Sequence, residues 1–114
     1  MQPPTDCLYA YRGLVTRVID GDTIEVAVDL GMRITRTVRV RILGLNAPEL
    51  FSGTDAERTD GQRWKLALED MVLAQTVYLR TEKDRTSFDR YLAHIWRSSD
   101  GLFVADALPA MMVT

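Results

Sequence analysis

Arginines and carboxylates stand in three short stretches of this sequence, and their residue types suit phosphate chemistry. The first stretch contains Asp20 and Asp22, the second runs from Arg41 to Glu49, and the third surrounds Arg90. Arginine binds phosphate through a planar two-pronged fork, and carboxylate oxygens position water or a hard divalent cation. Hydrolysis of a phosphodiester needs such groups, because charge develops on the phosphoryl oxygens in the transition state.

Each stretch also has an ordinary structural interpretation when it is taken alone. Asp20 and Asp22 flank a glycine, which is typical of a hairpin turn with solvated acids. Arg41 belongs to a run of arginines that could be an exposed stripe, and Glu49 follows a proline on a loop. Arg90 could pair with a neighbouring aspartate. The order and spacing of the stretches therefore carry more weight than any one of them.

The elements that must position these residues are five strands and two helices. The helix between strands three and four should begin near Thr59 or Asp60, either of which could cap it. Pro109 should interrupt the final helix, because proline lacks the backbone donor. The predicted strands cover residues 8–19, 23–30, 33–45, 76–82 and 91–96, and the final helix covers residues 103–108.

Apolar periodicity predicts which faces are buried. Strand two alternates with a period of two and strand three shows the same parity, whereas the central helix repeats every three or four residues. Gly44 is expected to bend the end of strand three. The predicted inward residues are Ile24, Val26, Val28 and Leu30 in strand two, Ile34, Val38, Val40 and Ile42 in strand three, and Trp64, Ala67, Leu68, Met71 and Val72 in the helix.

This order of elements predicts a mainly β fold with some α. The specific expectation is a five-stranded OB-type β-barrel with one central helix and a short C-terminal helix. A chain of 114 residues has room for one core, so residues 1–114 are expected to form a single domain. Barrels of this type often bind nucleic acids or sugars, so the fold class alone does not distinguish a binding protein from an enzyme.

The overall charge argues against a nucleic-acid-binding protein, but the distribution of charge does not. The formal net charge is -2, whereas nucleic-acid-binding domains are usually basic. Twelve of the fourteen basic residues are arginine. Residues 33–41 hold four arginines and no acid, and residues 80–97 hold five basic against three acidic residues. A barrel that joins these segments would build one basic face.

Several features bound the compartment and the assembly state. Cys7 is the only cysteine, and no apolar run reaches membrane-spanning length. The first residues lack the basic and apolar parts of a secretory signal. We expect a cytoplasmic protein that does not associate with membranes, either a monomer or a weak homodimer. Met111 and Met112 could pair with another copy or cap the barrel.

Three sequence strings together resemble the staphylococcal nuclease (thermonuclease) family. They are residues 18–23 (VIDGDT), residues 41–49 (RILGLNAPE) and residues 89–93 (DRYLA). The second string matches one family signature without a gap, and the third matches another. The resemblance extends over about residues 12–110, although the family's last helix has no counterpart before the chain ends.

The resemblance implies a metal-dependent endonuclease that cuts between phosphorus and the 5′ oxygen in DNA and RNA. Arg41 and Arg90 match the two arginines that hold the scissile phosphate. Glu49 matches the carboxylate that orients, and deprotonates, the attacking water. Asp22 matches a carboxylate ligand of Ca²⁺, and the backbone carbonyl of Ala47 falls where the family supplies another ligand.

Departures from the family pattern fall around the metal and the base. Asn46 stands where a second aspartate ligand is usual, so weaker Ca²⁺ binding or a preference for another divalent cation is expected. Ala47 replaces a threonine. Phe88 replaces a tyrosine that meets the nucleotide, which keeps base stacking but loses a hydrogen bond. Arg39 and Arg85 are expected to join Phe88 in binding substrate.

Two other function classes stay open at this stage. A barrel of the same ancestry could bind nucleic acid or a protein partner without cutting, which the acidic pI and Asn46 favour. A sugar-binding barrel has only the fold in its favour. His94 is expected to be a packed or rim residue rather than a ligand or base. Trp64 and Trp96 are expected in the core rather than as base-stacking platforms.

Overall fold

A computed structural model of the chain describes residues 1–2, 8–48, 53–82 and 90–112. Within these ranges the chain forms five strands and two helices. The bounds are β1 (Ala10–Asp20), β2 (Thr23–Asp29), β3 (Thr35–Ile42), α1 (Asp55–Val72), β4 (Thr76–Glu82), β5 (Arg90–Arg97) and α2 (Val104–Met112). The order of elements is the predicted one, and β4 has the predicted bounds.

The five strands close into a barrel in the order β1-β2-β3-β5-β4. Neighbouring strands are antiparallel except β3 and β5, which run parallel. This parallel pair is possible because α1 and β4 supply the long crossover that parallel strands need. The barrel confirms the predicted OB-type fold with two helices.

The core fills the barrel and continues under both helices. Inward side chains of the strands are almost all β-branched or leucine, which suits a pleated, buried surface. Leu68, Met71 and Val72 of α1 and Leu108 of α2 close one end of the barrel. The predicted stripe of α1 is confirmed, since Trp64 and Ala67 also pack against this core.

The ends of β1, β3 and β5 differ from the predicted ones, and β2 is one residue shorter than predicted. β1 begins at Ala10, because Leu8 and Tyr9 form a turn in which Tyr9 has a φ of +63°. β3 ends at Ile42, because Gly44 turns the chain with a φ of +87°. β5 extends one residue further at each end than predicted.

The turn between β2 and β3 is longer than predicted. Leu30 lies beyond β2 and is 40% exposed, and Ile34 precedes β3 and is 52% exposed, so neither is a core residue. Met32 and Arg33 both have positive φ values, which no strand accommodates. The backbone N–H of Leu30 donates to the carbonyl of Ile34 and closes the turn.

The central helix begins one turn earlier than predicted. α1 begins at Asp55, and the Thr54 hydroxyl accepts a hydrogen bond from the backbone N–H of Glu57 at 3.1 Å. This N-cap satisfies one of the donors left free at the start of a helix. Residues 55–60, predicted to be irregular because they are polar, are therefore the exposed first turns of α1.

The C-terminal helix continues through the predicted break at Pro109. α2 extends to Met112, because Leu108 and Ala105 anchor it in the core and only Pro109 lacks a donor. Met112 packs against the core, whereas Met111 is exposed. Within the described residues, neither helix is long and apolar enough to span a lipid bilayer.

His94 lies on β5 in a small aromatic cluster. Its ring centroid is 6.2 Å from that of Trp96 and 6.1 Å from that of Phe103. Trp96 and Phe103 are themselves 5.1 Å apart. These contacts fit the predicted packing role of His94. Trp96 is half-buried in this cluster rather than in the core itself.

Candidate active site

The first acidic stretch forms the tight turn between β1 and β2. Asp20 ends β1, and its carboxylate accepts a hydrogen bond from the backbone N–H of Asp22 at 3.1 Å. A Cβ at Gly21 would lie only 2.7 Å from the Cβ of Ala47 and 2.8 Å from that of Trp64. Glycine therefore allows the turn to pack directly on the following loop and on α1.

Asp22 joins the turn to the loop after β3. Its Oδ1 accepts from the Thr23 hydroxyl at 3.1 Å, and its Oδ2 accepts from the backbone N–H of Ala47 at 3.2 Å. Its backbone carbonyl accepts from the N–H of Ile42 at 2.8 Å. The side chain is 14% exposed. Asp22 is thus a largely buried carboxylate held in one orientation.

Arg41 lies beside this carboxylate. Its Nε is 3.9 Å from Asp22 Oδ2, and a terminal guanidinium nitrogen donates to the carbonyl of Leu45 at 3.4 Å. The arginine side chain remains 36% exposed. One side of the guanidinium is therefore fixed by the protein, while the exposed part can meet an anion from solvent.

The parallel pairing of β3 and β5 gathers the arginines. Arg39 pairs with Arg90, and Arg41 pairs with Leu92 two residues further along. Residues paired directly across strands share a face, and so do residues two apart in one strand. Arg39, Arg41 and Arg90 therefore lie on the same outer face of the barrel. The two segments therefore meet as predicted in their described part, and Glu25, paired with Arg39, and Glu82, paired with Leu92, lie on the same face.

Asp20 is the acidic residue that the sequence interpretation did not place in the site. Burial, together with hydrogen bonding to and repulsion from the nearby Asp22 carboxyl, raises the pKa of Asp20 to about 6. Two carboxylates two residues apart in a tight turn are the sequence signal for such a pair. The same spacing also occurs in an ordinary hairpin turn, so it does not by itself predict burial.

The loop from Asn46 to Pro48 faces the first turns of α1. Asn46, Ala47 and Pro48 line an open depression together with Glu57 and Asp60 of α1. Asn46 is exposed there, while Ala47 contacts Asp22 through its N–H. The helix side of this depression was missed in the sequence, because α1 was expected to begin later.

Three predicted site residues lie outside the described residues. They are Glu49, assigned to the attacking water, and Arg85 and Phe88, assigned to substrate binding. The described residues that the structure brings together are Asp22, Ala47 and Arg41, with Arg39 and Arg90 on the same face as Arg41.

The potential ligand atoms near Asp22 are of the type that hard divalent cations bind. The residues at and next to the Asp22–Ala47 contact offer oxygens, namely the carboxylates of Asp20 and Asp22, the carbonyl of Ala47 and the amide of Asn46, and Ca²⁺ and Mg²⁺ prefer oxygen ligands. A pair of close carboxylates is also what a cation would stabilise. The described residues contain no group of three or more acidic, histidine or cysteine side chains placed to hold a metal ion.

Known proteins similar to this chain include several nucleases. The chain is 40% identical over 85 residues to "Protein ParB" of Escherichia coli, a match that covers 75% of this chain and 41% of that protein. It is 36% identical over 86 residues to "Micrococcal nuclease" of Shigella flexneri, covering 75% and 42%. It is 32% identical over 93 residues to an "Uncharacterized endonuclease" of Escherichia coli O157:H7, covering 82% and 52%.

The matches cover most of this chain but only about half the length of these curated relatives. No protein-family model matches the chain. The similarity nevertheless agrees with the closed five-stranded barrel and with the order of the three sequence strings. The chain belongs to the staphylococcal nuclease-like family.

Proposed function

We propose that the protein is a metal-dependent endonuclease that hydrolyses phosphodiester bonds in DNA, with RNA as a further substrate. The observation that carries this proposal is the parallel β3–β5 pair, which sets Arg41 and Arg90 on one face beside the buried carboxylate of Asp22. Two relatives with nuclease or endonuclease names support the same chemistry.

Arg41 and Arg90 are proposed to hold the scissile phosphate. Paired residues on neighbouring strands, and those two positions further along, lie within about 8 Å of one another. Two guanidinium forks at that spacing can grip the non-bridging oxygens of one phosphate and offset the charge that grows on them. The contact between Arg41 and the carbonyl of Leu45 orients one fork in advance.

Glu49 is proposed to position the attacking water and to accept its proton. It follows Pro48 on the loop that Asp22 anchors through the N–H of Ala47. Phe88 is proposed to stack on a base, and Arg39 and Arg85 to bind flanking phosphates. The basic face that includes Arg39 supports this assignment despite the net charge of -2.

Asp22, Asn46 and the carbonyl of Ala47 would hold Ca²⁺ or another divalent cation. When bound, such a cation would polarise the phosphoryl group and stabilise negative charge. Asp22 already has each carboxylate oxygen hydrogen-bonded to the protein, so its orientation is set without the cation. Asn46 contributes no negative charge, which makes weaker Ca²⁺ binding the expectation.

A cleavage assay tests the proposal. The wild-type protein is incubated with single-stranded DNA and, in parallel, with RNA, in the presence of Ca²⁺, Mg²⁺, Mn²⁺ or EDTA. We expect cleavage with at least one cation and none in EDTA. Glu49→Gln and Arg90→Ala should each reduce the rate by about 10²- to 10³-fold.

Arg17→Ala is the matched control: it removes an exposed arginine of β1, which β2 separates from the paired β3–β5 arginines. Cleavage by wild type with no cation at all would contradict the metal dependence. Equal cleavage by wild type, Glu49→Gln and Arg90→Ala would contradict the catalytic assignment. DNA binding without cleavage under any condition would favour the non-catalytic barrel.

A further inference from the structure

The end of the barrel opposite the helices holds an apolar cavity that the proposed mechanism does not use. Its volume is about 120 Å³. Engineered apolar cavities of about 150 Å³ bind benzene, so this space is on the scale of one six-membered ring. We call it the barrel mouth; its lining residues are Tyr11, Val28, Leu30, Arg36, Val38, Thr81 and Tyr91.

One wall of the barrel mouth carries a cation next to an aromatic face. The guanidinium carbon of Arg36 lies 5.6 Å from the centroid of the Tyr91 ring. Arg36 is exposed, and the described residues offer it no ion pair. An aromatic ring with an arginine beside it can stack on a planar ligand and attract its negative groups.

The rim of the barrel mouth exposes apolar side chains. Leu30, Met32 and Ile34 are 40%, 89% and 52% exposed, and Tyr9 is 66% exposed. Tyr9 has a φ of +63°, which is a strained conformation for a bulky residue. Such outliers are concentrated at ligand-binding sites. The rim therefore offers aromatic and aliphatic surface to something that approaches from solvent.

The barrel mouth adjoins the arginines of the basic face. Tyr91 directly follows Arg90, and Val38 directly precedes Arg39, so each lining residue is next to a residue of the paired arginines. Side chains alternate along a strand, so the arginines face outward while Tyr91 and Val38 face the mouth. A phosphate on the outer face and a planar ring in the mouth would lie on opposite sides of the barrel wall, and because β5 begins at Arg90 a nucleotide would pass around this end of the wall.

The charges around the mouth favour an anionic ligand. Arg33 and Arg36 come from the β2–β3 side, and Arg39 and Arg90 from the outer face. Two acids lie nearby. Glu82 lines a neighbouring cleft with Tyr9 and Tyr91. The Asp29 carboxylate accepts a hydrogen bond from the backbone N–H of Gly31 in the β2–β3 turn. Glu25 pairs with Arg39 on the outer face, so four arginines stand against three acids among the described residues and leave a small positive excess.

We propose that the barrel mouth is a nucleobase subsite. A base next to the scissile phosphate enters the mouth, stacks against Tyr91 and Tyr11, and is held by Arg36. This inference rests on the proposed function, because it takes a nucleic-acid strand as the ligand of the same basic face. It assigns the mouth to base selection and leaves the outer arginines to the phosphate.

Binding in the absence of turnover tests this subsite. A short fluorescein-labelled thymidine oligonucleotide is titrated with the protein in EDTA, together with a series in which one nucleotide at a time is abasic. Because base stacking on aromatic side chains is sequence-tolerant and substantial, one abasic position should weaken binding by about 5- to 100-fold. The other positions should change binding far less.

Two variants locate the effect in the mouth. Arg36→Gln and Leu30→Ser should each reduce the penalty at that abasic position to about 3-fold or less, since Arg36 lies over the Tyr91 ring and Leu30 is part of the apolar lining. The matched controls are Arg17→Gln, an exposed arginine of β1, and Leu14→Ser. Leu14 is 45% exposed on β1, against 40% for Leu30. Both controls should keep the wild-type penalty.

The outcomes separate this inference from the nuclease assignment. An abasic penalty in a protein that never cuts would support the subsite and contradict the nuclease. Cleavage without an abasic penalty at any position would overturn the subsite alone. The subsite would also be overturned if the control variants Arg17→Gln and Leu14→Ser removed the abasic penalty. The subsite would also be overturned if Leu30→Ser changed the protein from dimer to monomer in sedimentation but kept the abasic penalty. The mouth would then bind a second copy of the chain.

Discussion

β3 carries one arginine near each end, and the two arginines meet different surroundings. Arg41, near the C-terminal end, lies between the Asp22 carboxylate and the Leu45 carbonyl. Arg36, near the N-terminal end, lies over the Tyr91 ring at the barrel mouth. The first contact is with oxygens fixed by a hydrogen-bond network, and the second is with an aromatic face beside a cavity.

The difference matches two demands of nucleic-acid chemistry. A phosphate oxygen must be met at a defined distance, because electrostatic stabilisation depends on donors placed before the reaction. A base needs only a π-face and can be accommodated by side chains that adjust. The same strand can serve both demands, because its residues alternate between the outer face and the barrel interior.

Replacing Arg41 should have the largest effect. Arg41→Ala should reduce the cleavage rate on single-stranded DNA by about 10²- to 10³-fold, since one preorganised charge donor is lost. Arg41→Lys should recover only part of the rate, because lysine keeps the charge but lacks the planar fork. Rates at saturating cation measure this, with Arg17→Ala as the control. Full activity in Arg41→Lys would show that the fork geometry is not needed.

Gly21→Ala should test how tightly the charged end is packed. The new methyl group would lie 2.7 Å and 2.8 Å from the Cβ atoms of Ala47 and Trp64. Overpacking of this kind costs about 1–3 kcal/mol of unfolding free energy. Leu30→Ala at the barrel mouth should cost less than about 1 kcal/mol. Urea unfolding measures both; equal losses would contradict the contrast between the two ends.

Asp20→Asn should stabilise the metal-free protein at neutral pH. Folding raises the pKa of Asp20 to about 6, so the folded state binds more protons than the unfolded state between about pH 4 and pH 6. The stability that this carboxyl contributes is therefore present at low pH and is lost as the pH rises through 6. An amide does not ionise, so Asp20→Asn should not lose this stability, and its free energy of unfolding at pH 7 should exceed that of the wild type by about 1–2 kcal/mol.

The same variant should gain almost nothing at pH 4, where Asp20 is protonated in the folded protein. Urea unfolding in EDTA at the two pH values is the measurement. Asp70→Asn on the exposed face of α1 is the control for removing one negative charge. An equal gain at both pH values would show that Asp20 is not the group that titrates.

Arg36→Gln should have the smallest effect on the fold. A cation next to an exposed aromatic ring contributes about 0.5–1 kcal/mol. The free energy of unfolding should therefore fall by no more than that amount. Thermal unfolding with Arg36→Lys as the charge-matched comparison measures the change. A loss above about 2 kcal/mol would mean that Arg36 is a structural residue, in contrast to the ligand-facing role proposed for it.

Strands with strict alternation were predictable from the sequence, because every second side chain had to be buried. The inward set of β2 from Ile24 to Val28 was correct, and β4 had the predicted bounds. Leu30 and Ile34 broke the rule, because positive φ values at Met32 and Arg33 lengthen the turn. Nothing in those residue types signals a left-handed backbone, so the apolar rim of the mouth was not foreseen.

Polar sequence near helix ends was the other source of error. Residues 55–59 are exposed and Asp60 is half-buried. Apolar periodicity therefore could not reveal the first turns of α1. The cap at Thr54 is a local hydrogen bond that many threonines could make. The face shared by Arg39, Arg41 and Arg90 was expected, because their strands had to meet in a closed barrel. The Asp20–Asp22 pair depended on burial, which the turn motif does not specify.

The parallel β3–β5 pair also determines when the basic face exists. Arg39 and Arg41 are synthesised well before Arg90, and α1 and β4 lie between them in the chain. Non-local strand pairs form late in folding, because a long loop must close first. Affinity for phosphate should therefore report barrel closure itself. An anion that binds only the closed barrel would stabilise it by mass action, so inorganic phosphate would act as a folding ligand.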